Sequence, residues 1–293
     1  MVATKIKHLY TGHRWVRSLF WVAFLVGSIL MLINIYGLFQ PLRNPILGSE
    51  DPSMLRFVPE EVWTYERSLK EVANLNTLTP ETGLVSSANK VVQQSLVHVE
   101  WKKVDPGEYR QLIPIWENYY LYTLGLFSGL PQIERYHFSN YKKTFERGIG
   151  ICGDASIALS SILDDHNIDN RIISFPGHVI VEYFDTDGNS KLIDPDFGVE
   201  LGASLAELKT NTDDIHQNYL DAGYSKKEVS YLLKNYKQDY GIYESTYDFM
   251  AKRYIFERAS YILKWIFPLI LLLPISLIGW SKFSSRQTKK KKA

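Results

Sequence analysis

The segment GIGICGDASIALSSILDDHNIDNRIISFPGHVIVEYFDTDGNSKLIDPDFGV, residues 148–199, contains the clearest secondary-structure patterns of the chain. Small and apolar residues recur in its first part at intervals of three and four, which predicts an α-helix over residues 152–165. These positions are Ala155, Ala158, Leu159, Ile162 and Leu163. A helix of this composition has a broad apolar face, so we expect it to pack in the core.

Short runs typical of β-strands follow this helix. RIISF and HVIVEYF are rich in β-branched and aromatic residues, and KLI follows after a turn. The pair Asp187-Gly188 between the last two runs is a strong hairpin signal. The sequence therefore predicts that the strand beginning at His178 pairs antiparallel with the strand ending at Asp194.

The flanking sequence is mostly helical in pattern. Helices are expected over residues 60–74, 80–101, 113–127 and 131–145, and Ser225-x-x-Glu228 marks a further helix start by its capping-box spacing. Helices, then one helix with antiparallel strands, then helices again predict the α+β class.

Two long apolar runs lie near the ends of the chain. Residues 18–42 contain no charge, and neither do residues 265–281, which include two prolines. About 20 apolar residues suffice to cross a bilayer as a helix, so we expect transmembrane helices over residues 18–39 and 261–280. A cleaved signal peptide is the alternative for the first run, but the run is too long and no small-residue cleavage site follows. A buried or interfacial helix is the alternative for the second.

Charge is partitioned strongly although the net charge is only +1. Residues 1–17 and 281–293 carry only basic charges, +4 and +6, while residues 18–280 hold 23 basic and 32 acidic residues, a net charge of −9. Basic segments beside membrane helices stay in the cytoplasm. The expected organisation is two cytoplasmic tails, 1–17 and 281–293, and one domain, 40–260, on the outer face of the inner (cytoplasmic) membrane.

Composition excludes several classes of function. The near-zero net charge argues against a general nucleic-acid binder. A single cysteine excludes an internal disulfide and a cysteine-rich metal site, and no metal or organic cofactor is expected.

Three residues in the 148–199 segment could form a nucleophilic site. Cys152 lies where the helix should begin, and the positive end of a helix dipole favours the thiolate form of a thiol. His178 begins one hairpin strand and Asp194 ends the other, so both should lie at the same edge of the sheet. This is the order of a nucleophile, a base and a residue that orients the base.

With these residues in place, the segment resembles the transglutaminase-like superfamily of papain-like thiol enzymes. The resemblance lies in glycine-x-Cys at the start of a small-residue helix, Gly-His-x-x-x-Glu opening a strand, and Leu-Ile-Asp-Pro closing the hairpin. It implies a papain-like domain in which Cys152 is the nucleophile, His178 the general base and Asp194 the orienting residue. The implied reaction is acyl transfer, as a peptidase or amidase or as a cross-linking transferase.

Alternatives stay open at this point. Asp196 is a second candidate for the orienting carboxylate. The domain could also keep the fold without catalysis, as a binding or assembly subunit of a cell-envelope or polysaccharide-export complex. Expected partners are the lipid bilayer and an envelope protein, peptide or polysaccharide system.

The remaining histidines are expected on the surface or on helix faces, and Asp185-x-Asp187-Gly188 is expected to be a solvated turn, not a calcium loop.

Overall fold

A computed structural model describes residues 14–47, 55–57, 62–79, 83–100 and 103–290, with side chains described except at residues 55–57 and 278–290. Most of the amino-terminal basic tail and the last lysines lie outside these residues. The chain divides into two compact units. One comprises residues 42–112 and 135–255, and the other comprises residues 1–41, 113–134 and 256–293.

Along the described part of the chain, helices lie on both sides of a central run of four strands. The helices are α1 (Arg14–Gly37), α2 (Tyr65–Asn74), α3 (Leu84–Ser95), α4 (Tyr119–Phe127), α5 (Pro131–Glu134), α6 (Tyr141–Arg147), α7 (Cys152–Asp165), α8 (Thr212–Asp221), α9 (Lys226–Tyr236), α10 (Thr246–Met250) and α11 (Lys252–Lys290). The strands are β1 (Leu55–Phe57), β2 (Val97–Val99), β3 (Ile149–Gly150), β4 (Asn170–Phe175), β5 (His178–Phe184), β6 (Ser190–Asp194), β7 (Val199–Glu200) and β8 (Gly241–Tyr243). The α+β class is confirmed.

The larger unit is built on a five-stranded antiparallel sheet with the order β7-β6-β5-β4-β8. Alternate residues of a strand point to opposite faces, and both faces of this sheet are covered. Val181 and Ile193 pack on one face with Leu159 of α7. Ile180 packs on the other face in the cluster that holds α8 and α9. The site residues described below lie at one end of this sheet.

A second, smaller sheet joins β1, β2 and β3. β2 runs parallel to β3, with His98 opposite Gly150. The expectation of one helix over residues 80–101 is wrong at its end, because α3 stops at Ser95 and Val97–Val99 is a strand. The alternation Val-His-Val suits a strand, and pairing with the distant residues 149–150 gives it a partner.

The smaller unit contains the two long apolar helices. Arg14–Gly37 and the Lys252–Leu277 portion of α11 are each long and apolar enough to cross a membrane. Polar groups of this unit bond to one another. Asn34 donates to the backbone carbonyl of Lys264 at 2.5 Å, and the Lys264 ammonium donates to the carbonyl of Glu117 at 2.6 Å. Lys264 is therefore buried within this unit.

Candidate active site

Cys152 is the first residue of α7, as the periodicity of the sequence predicts. The helix begins there because the Asp154 carboxylate accepts the backbone N–H of Ile151 at 3.0 Å, which satisfies one of the free donors of a helix start. The buried Ser156 hydroxyl donates to the carbonyl of Val179 at 3.0 Å and joins α7 to β5. The thiol of Cys152 is free and partly exposed.

His178 is positioned by a tight turn between β4 and β5. Phe175 and His178 are paired across the hairpin, so Pro176 and Gly177 are its two central residues. Gly177 has φ +90, which suits glycine, and proline before it is typical of a type II turn. The imidazole is buried, with 3% exposure. A rigid two-residue turn therefore fixes the ring at the end of the sheet.

Asp194 reaches the same place through the pairing of β5 with β6. The ladder pairs Val181 with Ile193, so His178 and Asp194 are diagonal neighbours on one face of the sheet. The Nε2 atom of His178 lies 2.7 Å from Oδ2 of Asp194. A carboxylate only accepts, so the proton of this bond belongs to Nε2 and the other ring nitrogen, Nδ1, is left for Cys152.

The structure brings Cys152 and His178 together. The thiol sulfur and a ring nitrogen of His178 lie within 4.8 Å of each other. Burial opposes the charged imidazolium, but the attraction of Asp194 and hydrogen bonds to Asp194 and Cys152 outweigh it and raise the pKa of His178 well above its usual value. A protonated imidazole beside a thiol favours the thiolate, which is the nucleophilic form.

Two tyrosines complete the surroundings of Asp194. The hydroxyl of Tyr219 on α8 donates to Oδ2 at 2.5 Å, and that of Tyr236 on α9 lies at 3.3 Å from the same atom. Backbone N–H groups of Asp196 and Phe197 donate to Oδ1 at 3.1 and 3.3 Å. Burial and the nearby Asp194 charge raise the pKa of both tyrosines, so both stay neutral donors. Asp194 is fully buried yet fully hydrogen-bonded, as a buried carboxylate must be.

Asp196, the second candidate for the orienting carboxylate, bonds to a different ring. Its Oδ1 lies 2.6 Å from Nδ1 of His98 on β2, and both residues are buried. The expectation that His98 is a surface or helix-face residue is therefore wrong. Asp196 Oδ2 and His98 Nε2 have no hydrogen-bond partner within the described chain.

These groups include a possible set of metal ligands. Cys152 Sγ, a His178 ring nitrogen and an Asp196 carboxylate oxygen all lie within 4.8 Å of one another. Thiolate, imidazole and carboxylate are the donors that Zn²⁺ accepts in proteins. Such an ion would occupy the nucleophile and so compete with chemistry at Cys152.

A pocket of about 350 Å³ opens beside Cys152 and His178. Phe175, Phe249 and Met250 contribute apolar lining to it, whereas His137 and Arg253 contribute polar groups. The Nδ1 atom of His137 lies 3.0 Å from both oxygens of Asp154. A second histidine–aspartate pair thus faces the pocket from the side of the α7 start.

The Asp185–Gly188 turn joins β5 to β6 at the end of the hairpin opposite to His178 and Asp194. Oδ1 of Asp185 accepts the backbone N–H groups of Asp187 and Asn189, and Lys191 lies 3.1 Å from Oδ2. These contacts, the N–H of Asn189 foremost, lower the pKa of Asp185 to about 2. The carboxylate is used by the turn itself.

None of the protein-family models, curated proteins and solved structures compared with this chain matches it. The resemblance to transglutaminase-like enzymes therefore stays a prediction.

Four residues around the site were not predicted from the sequence: His98, His137, Tyr219 and Tyr236. All are more than 14 residues from Cys152, and none belongs to a short motif. The chain carries no local signal for such contacts, because helix docking and the parallel pairing of β2 with β3 create them. The pairing of His178 with Asp194, by contrast, follows from one hairpin.

Proposed function

We propose that this protein is a membrane-anchored cysteine acyl-transfer enzyme of the transglutaminase-like, papain-like kind. The observation that carries the proposal is the position of the buried His178 ring, between the Cys152 thiol and the Asp194 carboxylate. A nucleophile beside a base that is itself held by a carboxylate is the arrangement that activates a thiol.

The proposed reaction begins with transfer of the Cys152 thiol proton to Nδ1 of His178. The thiolate attacks the carbonyl carbon of an amide or ester and forms a C–S bond. When the tetrahedral intermediate collapses, the C–N or C–O bond breaks and the imidazolium returns its proton to the leaving amine or alcohol. Water or an amine then attacks the thioester by the same route in reverse and releases the thiol.

The negative charge that develops on the carbonyl oxygen in the tetrahedral intermediate needs hydrogen-bond donors. Backbone N–H groups at the start of α7 point along the helix axis and can supply them. His137 faces the same pocket, and Asp154 at Nδ1 holds its ring. We assign to His137 a further hydrogen bond to the oxyanion, from beside the α7 start. No step needs a metal or organic cofactor.

The membrane placement is part of the proposal. α1 and the apolar part of α11 cross the bilayer, with both basic tails in the cytoplasm. The domain then faces the periplasm or cell exterior, where its substrate is an envelope protein or peptide, or a component of a polysaccharide system. The test is protease treatment from the outer face. Cleavage of the carboxy-terminal lysines from that side contradicts the topology.

A non-catalytic subunit is the rival function. It predicts that the deletion phenotype is rescued equally by wild type, Cys152→Ala and His178→Ala. The enzyme predicts rescue by wild type and by the control His166→Ala, which changes a histidine at the end of α7, and failure of both site variants. Equal membrane levels of all proteins, measured by immunoblot, make the comparison valid.

A further inference from the structure

The segment 118–133, NYYLYTLGLFSGLPQI, contains no charged residue. It comprises α4, the turn after it and most of α5. By sequence it resembles a core helix. It belongs, however, to the same compact unit as the two long apolar helices.

Hydrogen bonds fix the start of this segment to α11. The Asn118 side chain caps α4 by accepting the N–H groups of Tyr120 and Leu121, and its amide donates to the Ser260 hydroxyl at 2.9 Å. The Tyr119 hydroxyl donates to the carbonyl of Lys264 at 3.0 Å. Both contacts to α11 lie just before its charge-free run at residues 265–281. The segment is therefore attached where α11 becomes continuously apolar.

The far end of the segment presents large apolar side chains outward. Phe127 is 82% exposed, and the three leucines near it are also exposed. These leucines are Leu124, Leu126 and Leu130. A soluble surface seldom gathers such side chains without a partner, so this face needs an occupant.

Length and composition decide how deep such an element can lie. α4 has nine residues, about 14 Å of helix, which cannot cross a hydrocarbon layer of about 30 Å. The turn at Gly129, with φ +65, interrupts the helix, and irregular backbone is not tolerated in contact with the lipid core. Tyr119 and Tyr120 lie in the first turn of α4, and tyrosine side chains prefer the headgroup region of a bilayer. The leucine side chains at the far end of the segment suit the part of the acyl chains that lies next to the headgroups.

We propose that the segment 118–133 is an interfacial membrane element. Its exposed apolar tip, residues 124–130, inserts at the boundary between headgroups and acyl chains beside α11. The occupant of the apolar face is thus lipid, and the protein has a third membrane contact besides its two spanning helices. The inference rests on the proposed membrane placement of α1 and α11.

Site-specific labelling tests this element in the full chain reconstituted in phosphatidylcholine vesicles. Because Cys152 is the sole cysteine, a Cys152→Ser background accepts one new cysteine for an environment-sensitive NBD label. Phe127→Cys reports on the tip. Leu25→Cys, 60% exposed on α1, reports on the spanning helix, and Lys227→Cys on α9 is the aqueous control.

The proposal expects the Phe127→Cys label to lose emission when lipids carry a nitroxide at a shallow acyl position, and to resist aqueous iodide. The label at Lys227→Cys should show the reverse. If the Leu25→Cys label is quenched by deep nitroxides while the Phe127→Cys label is quenched by iodide, the interfacial element is refuted but the spanning helices survive. Failure of the Leu25→Cys label to contact lipid overturns both. A Phe127→Cys label shielded from both quenchers, with energy transfer between copies, assigns the tip to a second copy of the chain and also overturns the proposal.

Discussion

Asp194→Asn tests whether the negative charge of Asp194 stabilises the protonated ring of His178. The substitution keeps the shape of the side chain and removes its negative charge. An asparagine presents one accepting and one donating end, whereas Asp194 accepts at both, from His178 and two tyrosines at Oδ2 and from two backbone N–H groups at Oδ1. In either orientation its NH₂ group faces donors. The variant therefore loses hydrogen bonds as well as the charge.

The charge effect can be estimated from the structure. With charge centres about 5 Å apart and an effective dielectric constant of about 20, the attraction between imidazolium and carboxylate is about 3 kcal/mol. At 1.36 kcal/mol for each factor of ten, its loss lowers the population of the thiolate–imidazolium pair roughly a hundredfold. The thiolate population should fall in the variant because the attraction of Asp194, which outweighs the opposing effect of burial, raises the pKa of His178 in wild type.

Alkylation of Cys152 by iodoacetamide measures this population without knowledge of the substrate. The chain has one cysteine, so intact-mass spectrometry reports the rate at that thiol alone. Near pH 6, where an ordinary thiol is almost wholly protonated, wild type should react roughly 10- to 100-fold faster than Asp194→Asn. Equal rates for both proteins in guanidinium chloride provide the control, and a melting curve shows that the variant is folded. Equal rates in the folded state would refute the ion-pair reasoning.

Other substitutions probe the surroundings of the site. Tyr219→Phe removes the 2.5 Å bond to Asp194 and should cost about 1–3 kcal/mol in urea unfolding, whereas Tyr231→Phe, on the exposed side of α9, should cost almost nothing. His137→Gln should lower acyl-transfer turnover about 10- to 100-fold while leaving Cys152 alkylation close to wild type, with His166→Gln as the control; a parallel loss of both rates contradicts the oxyanion role. Zn²⁺ should slow Cys152 alkylation in wild type and much less in Asp196→Asn, and equal protection in both proteins shows that Asp196 is not a ligand. Because the pKa of Asp185 is lowered from 3.8 to about 2, its carboxylate stabilises the hairpin above pH 4 and loses this effect as the pH falls towards 2, so the melting temperatures of wild type and Asp185→Asn should converge over that interval.

The parts of the fold that sequence predicted are those governed by local rules. The helix at Cys152–Asp165, the strands β4 to β6 and the capped start of α9 follow from periodicity, β-branched runs and a capping box, and the structure confirms them. The proximity of His178 and Asp194 follows from the same hairpin, because the pairing of β5 with β6 places both residues at the same end of the two strands.

The parts that sequence did not predict depend on distant contacts. β8 joins the sheet beside β4 from about 70 residues away. The helix expected over residues 131–145 is broken into α5 and α6, because Asn140 caps a new start at Tyr141. Residues 113–127 were expected in the same domain as residues 148–199, and the structure groups them with the two long apolar helices. In each case a partner remote in sequence, or a cap inside a helical pattern, decides the outcome.

Cys152 is proposed to perform covalent acyl transfer with His178 as its base. The direct measurement is a reaction with an activated ester, p-nitrophenyl acetate, in which released nitrophenolate and the intact protein mass are followed together. We expect a burst of nitrophenolate close to one per protein and an acetyl group on Cys152 that hydroxylamine removes, with no burst in Cys152→Ala and a strongly slowed one in His178→Ala. An acetyl group found elsewhere would contradict the role of Cys152, and a burst unchanged by His178→Ala would contradict the role of His178.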